Sequence, residues 1–128
     1  MRVVVFDDVL FGQQEDYAGL GLELRFFEHA DDAVRVVLQE QPDLVLMDYS
    51  MTGRLTGDEA IEQLRARFPR GELAVVGISS DVASNDRMVA FGADDAVPKS
   101  HLRAYLHTKL RRGTLPEPAA ARAGAKAR

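Results

Sequence analysis

Cysteine is absent from the 128 residues. That excludes disulfides and thiol catalysis and fits a cytosolic protein. No apolar run approaches the ~20 residues that a bilayer span requires, so no membrane segment is expected. The N-terminus opens on a strand-like run at Arg2 and lacks the layout of a signal peptide. A basic excess is missing too: the formal net charge is −4. Residues 113–128 carry Glu117 against Arg122, Lys126 and Arg128, a net of +2, which leaves the remaining body at −6. An acidic body argues against nucleic-acid binding, and so short and sparse a basic tail does not overturn it. There is no internal repeat. His29, His101 and His107 are too scattered for a metal cluster, and the last two sit on different faces of one helix.

What remains is an ordinary globular composition, 46% hydrophobic and 28% charged, of a length suited to one domain with a real core. Residues 2–6 are β-branched, apolar and uninterrupted, and read as a buried strand. A helix is expected from about Leu10 to Leu20, weakened by Gly12 and Gly19. Leu22–Phe27 reads as a second strand. Asp31 or Asp32 is expected to cap a helix running to about Gln39, with Pro42 beyond it. Leu44–Met47 has the continuous apolar character of a central parallel strand. Thr56 and Glu59 form a capping-box pair ahead of Ala60, Ile61, Leu64 and Phe68 at helical spacing, and Pro69 ends that helix. Leu73–Ile78 is the fourth strand, and Ser84–Phe91 the fourth helix with Gly92 just past its end. Gly92-Ala93-Asp94-Asp95 reads as a turn. Ala96-Val97 is a short fifth strand, and Ser100 is expected to cap a last helix striped by Leu102, Tyr105, Leu106 and Leu110. Five strands alternating with five helices predict an α/β fold with a parallel sheet covered on both faces. Residues 1–112 make the domain, and 113–128 an Ala/Pro/Arg tail without an amphipathic face, expected to be mobile.

Polar residues stand at the ends of the apolar runs. Asp7 and Asp8 follow the first strand, Asp48 the third, Ser79 the fourth and Lys99 the fifth. In an open α/β sheet the carboxyl ends of the strands form the ligand crevice. Each residue alone has a plain explanation: a helix cap at Asp7 or Asp8, a turn at Asp48, a solvated lysine. Together they point to carboxylates that share a hard divalent cation. Asp48 is then a candidate phosphoryl-accepting nucleophile, Ser79 a hydroxyl donor to phosphoryl oxygens and Lys99 a charge that neutralises them.

From residue 2 to about 112 this pattern resembles the receiver domain of bacterial two-component response regulators. The resemblance rests on Asp7-Asp8, on Pro42-Asp43-Leu44-Val45-Leu46-Met47-Asp48, on Met51, Gly57 and Ser79, and on Gly92-Ala93-Asp94 leading to Pro98-Lys99. It implies a flavodoxin-like doubly wound sheet of strand order 2-1-3-4-5. It also implies that Asp48 accepts a phosphoryl group from a sensor histidine kinase or phosphotransfer protein, followed by slow autodephosphorylation. Asp8, Asp48 and the Ser50 backbone carbonyl would ligate Mg²⁺ (or Mn²⁺), with Asp7 acting through water. Ser79 and Lys99 would bind the phosphoryl oxygens, and Ser50 and Asp81 would tune the lifetime of the phosphoryl group. The expected setting is cytoplasmic signalling through an output protein that the sequence does not identify, as a monomer or weak homodimer.

The chain departs from the family pattern in four places. Thr52 stands where proline is usual, and Gly57 falls one residue late, which implies a one-residue insertion beside the site. Ala96 occupies the switch position, where many members carry an aromatic residue. Ser100 replaces the proline that often follows the lysine. A receiver-like interaction module that switches little on phosphorylation is therefore the alternative reading. A metal-dependent phosphohydrolase on a related fold is disfavoured, because Ser50 replaces the acid such an enzyme needs two residues after its nucleophile. No effector domain follows the last helix, so a stand-alone receiver and a fragment of a longer regulator fit equally well.

Overall fold

The structure, a computed structural model, describes residues 1–110; the expected tail over 113–128 lies outside the described residues. Five parallel strands form one sheet in the order β2-β1-β3-β4-β5. They are β1 (Arg2–Phe6), β2 (Glu23–Phe27), β3 (Leu44–Met47), β4 (Ala74–Gly77) and β5 (Asp95–Ala96). The helices are α1 (Asp8–Phe11), α2 (Ala33–Glu40), α3 (Gly57–Arg67), α4 (Val82–Ala90) and α5 (Leu102–Tyr105), the last continued by a π-helical turn over Leu106–Leu110.

The period of two along each strand divides the core. Val4, Phe6, Val45, Met47 and Val75 face one layer, where they meet Val36 and Val37 of α2, Ile61 and Leu64 of α3 and Met88 of α4. Val3, Val5, Leu44, Leu46 and Val76 face the other, against Leu10 of α1 and Leu102, Tyr105 and Leu106 of the C-terminal helical segment. Fully burying a side chain such as Ile61 or Leu64 contributes about 1.5–3 kcal/mol. Beyond Arg2 at the start of β1, strands β1 and β3 are apolar throughout because neither face sees water.

Four local expectations are corrected. The helix expected over Leu10–Leu20 is a single turn at Asp8–Phe11, followed by a 3₁₀ turn at Gln14–Tyr17. Leu10 is the one buried residue of these two turns, too little apolar surface to hold a longer helix. Gly19 and Gly21 then take φ of 81° and 75°, outside any helix. At α2, Asp32 occupies the cap position without a side-chain cap bond, and Asp31 bonds elsewhere. At the C-terminus, Ser100 lies within a 3₁₀ turn, Lys99–His101, and His101 stands at the cap position of α5. The helix α4 starts two residues before Ser84 because the Asp81 carboxylate accepts the Ser84 amide at 3.1 Å. At α3 the Thr56 amide donates to the Glu59 carboxylate at 3.0 Å, the return half of the expected box.

Candidate functional site

Strand register builds the site. Phe6, Met47, Gly77 and Ala96 lie in one row across the sheet. The residues that follow therefore emerge along one rim. Asp7 and Asp48 come next on neighbouring strands, with the Asp48 amide bonded to the Phe6 carbonyl at 2.9 Å. One ligand oxygen each from Asp7, Asp8 and Asp48 lies within 4.8 Å of the others.

Asp7 is fully buried and uses its two oxygens differently. Oδ1 accepts the Val9 and Leu10 amides at 2.9 and 3.0 Å and so caps α1. Oδ2 meets the Lys99 ammonium at 2.8 Å. The helix cap and the ion pair thus coexist on one carboxylate. The same ammonium donates to Asp48 Oδ2 at 3.0 Å, while Asp48 Oδ1 accepts the Tyr49 amide at 2.8 Å. Asp8 is half-buried and accepts the Thr52 amide at 3.2 Å.

Charge at this rim is incompletely balanced: three carboxylates face one lysine. Burial, then the charge of Asp7, pushes the Asp48 carboxyl above its ordinary pKa, against the opposing pull of Lys99. Burial opposes the Lys99 charge as well, but the contacts with Asp7 and Asp48 overcome it and hold its pKa above the ordinary value. A cluster of oxygen donors with uncompensated negative charge fits a hard divalent cation, which takes carboxylate oxygens and retains waters.

The other expected residues stand at or just beyond the carboxyl ends of β3, β4 and β5. Ser79 is buried and held by its own loop. Its amide donates to Asn85 Oδ1 at 2.8 Å, Asn85 Nδ2 returns a bond to its carbonyl at 2.9 Å, and its hydroxyl accepts the Asp81 amide at 3.0 Å. Asp81 and Ser50 are exposed, and Ala96 is half-buried at the end of β5. Gly57 closes the loop after Asp48, its amide bonded to the Tyr49 carbonyl at 2.8 Å. A Cβ there would stand 2.2 Å from the Asp48 carbonyl oxygen, so the position admits only glycine without movement. Asn85 and the Thr52 amide were not among the residues expected at the site. The former shows only in the fold, which buries the Asn85 side chain against Ser79. A backbone donor such as the latter carries no residue signature.

Residues 13–111 match the family model of the response regulator receiver domain. The chain belongs to that family. This receiver domain is 29% identical over 79 residues to the DNA-binding transcriptional regulator NtrC of Proteus hauseri. The match covers 62% of the chain and spans only 16% of that relative. A two-component response regulator/GGDEF domain protein superposes with a TM-score of 0.72 at 26% identity, over 88% of this chain and 48% of that one. NtrX of Brucella abortus, solved with ATP, superposes with a TM-score of 0.68 at 28% identity, over 82% and 25% of the two chains. The receiver domain of a sensor histidine kinase from Pseudomonas aeruginosa, with magnesium in its active-site cleft, shares the fold at 23% identity and a TM-score of 0.69 over 87% and 94%. Among the described residues no helix is long and apolar enough to cross a membrane.

Proposed function

We propose that this receiver domain accepts a phosphoryl group on Asp48 from the phosphohistidine of a sensor kinase or phosphotransfer protein, and signals through a protein-binding face. The observation that carries the reading is the Lys99 ammonium set between Asp7 and Asp48, at 2.8 and 3.0 Å, beside a third carboxylate. In the transfer, a carboxylate oxygen of Asp48 forms the new P–O bond as the P–N bond of the donor breaks, and the imidazole leaves with a proton. Lys99 exchanges part of its contact with Asp48 for a phosphoryl oxygen, and the Ser79 hydroxyl donates to another. Asp8, Asp48 and the Ser50 carbonyl would hold Mg²⁺ (or Mn²⁺), with Asp7 acting through water, and the ion would supply counter-charge to the transferring group. A water that later attacks the phosphoryl group approaches past Ser50 and Asp81, which set its rate of loss. The setting is a cytoplasmic two-component pathway, without contact of this domain with nucleic acid.

Intact mass after incubation with Mg²⁺ and acetyl phosphate tests the reading. Wild type gains one phosphoryl group and Asp48→Asn gains none; no gain in wild type overturns the assignment. Ala96 favours a second reading, an interaction module with little switching, because β5 ends without a ring to reorient. Hydrogen exchange with and without beryllofluoride separates the two: protection changes over β5 and α5 support the switch, and their absence supports the module.

A further inference from the structure

The loop after Asp48 is held at both of its ends. Its base is closed by the Gly57 bond to Tyr49. Its tip is held from another segment. The Asp31 carboxylate, in the β2–α2 connection, accepts the Arg54 amide at 2.8 Å and the Leu55 amide at 3.0 Å. Between these anchors Thr52 donates its amide to Asp8 Oδ2 and its hydroxyl, at 3.5 Å, to the Glu28 carbonyl. Gly53 turns the chain there at φ 101°. A Cβ on Gly53 would sit 2.8 Å from His29 Cβ and 3.0 Å from each Asp31 oxygen, so tip and clamp are fitted together. The Leu55 amide first, then that of Arg54, draws the Asp31 carboxyl below its ordinary pKa against burial. The Arg54 guanidinium, 3.7 Å away and largely exposed, adds little.

We infer that Asp31 is a positioning residue of the cation site, holding the loop tip so that the Thr52 amide fixes the Asp8 carboxylate. The inference rests on the reading of Asp8 as a cation ligand. A proline at position 52, usual in the family pattern, has no amide proton to offer, so this contact belongs to the chain's altered loop. One hydrogen-bonded oxygen orients the carboxylate and leaves the other directed for a ligand bond. Losing such an outer partner typically weakens metal binding about 10–100-fold.

The test is calorimetric titration of the full chain with Mg²⁺, for wild type, Asp31→Ala, Asp31→Asn and the neighbouring Asp32→Ala, with unfolding measured in the absence of divalent ions. Asp31→Ala is expected to bind Mg²⁺ about 10–100-fold more weakly. Asp31→Asn, which keeps one acceptor oxygen, falls between it and wild type. Asp32→Ala, which loses only an exposed pair with Arg35, matches wild type. Lower metal-free stability with unchanged Mg²⁺ affinity in Asp31→Ala overturns the inference. If Asp31→Ala does not fold, unchanged affinity in Asp31→Asn overturns it. Absence of Mg²⁺ binding in wild type overturns the functional reading beneath it instead.

Discussion

The sheet holds a buried carboxylate beside a cation at each of its ends, and the two are built differently. At the amino end of β5, Asp94 is 1% exposed, accepts the Val75 amide at 2.9 Å and pairs with Arg65 at 2.9 Å. The Arg65 guanidinium also donates to the carbonyls of Gly92, Leu73 and Phe68. At the carboxyl rim a lysine faces three acids, and burial pushes one of them toward its neutral form. A planar fork with fixed partners locks two strands and a helix, whereas a flexible point charge can change partners. A buried ion pair is therefore not by itself a sign of chemistry. The sign is a surplus of carboxylates, three against one lysine, which a divalent cation can offset.

The comparison can be broken most severely at the amino end. Arg65→Met removes the nearer guanidinium from Asp94, with Arg70 still 3.9 Å away, together with the donor to three carbonyls, and is expected to cost about 3 kcal/mol in denaturant unfolding; a loss under about 1 kcal/mol would show that the two ends do not differ as described. Gly57→Ala is next, at about 1–3 kcal/mol, accompanied by weaker Mg²⁺ binding because the added methyl displaces the Asp48 carbonyl. A smaller effect is expected at Asp58. Burial opposes its charge, but the Thr56 hydroxyl, the Arg87 guanidinium and the Glu59 amide overcome it and hold its carboxyl below the ordinary pKa. Its contribution is present above the unfolded value of about 4 and is lost as pH falls through the lower folded value. Asp58→Asn should flatten the acid limb of a stability-versus-pH curve, and an unchanged limb would remove Asp58 from that account. The smallest change has the opposite sign. The folded state holds the Asp48 proton more tightly than the unfolded chain, so at neutral pH its charge works against folding. Asp48→Asn should leave metal-free melting unchanged or slightly higher, and a clear drop would contradict a strained rim.

The strands were legible in the sequence because each central strand is a largely apolar run closed by a polar residue, whereas their order came from the family resemblance. Placing Asp7, Asp8 and Asp48 together needed only the assumption that β1 and β3 are neighbours. The Thr56–Glu59 pair was legible because its partners lie three residues apart. What escaped depends on distant groups. Asp31 looks like a helix cap until the loop 23 residues further on is seen to take its oxygens. Ser100 looks like a cap until the 3₁₀ turn displaces the start of α5. The length of α1 was overestimated because periodicity does not reveal that Leu10 alone is buried on that stretch. Asn85 clamps Ser79 across a turn, and neither residue carries a mark of that partnership.

The double use of Asp7 has a spectroscopic consequence. Its Oδ1 holds the Val9 and Leu10 amide protons, while its Oδ2 meets the ammonium at the acidic rim. Polarisation of one oxygen is felt at the other through a single carboxylate. These two amide resonances therefore act as an internal voltmeter, displaced by a change of charge at the rim although neither residue takes part in the chemistry.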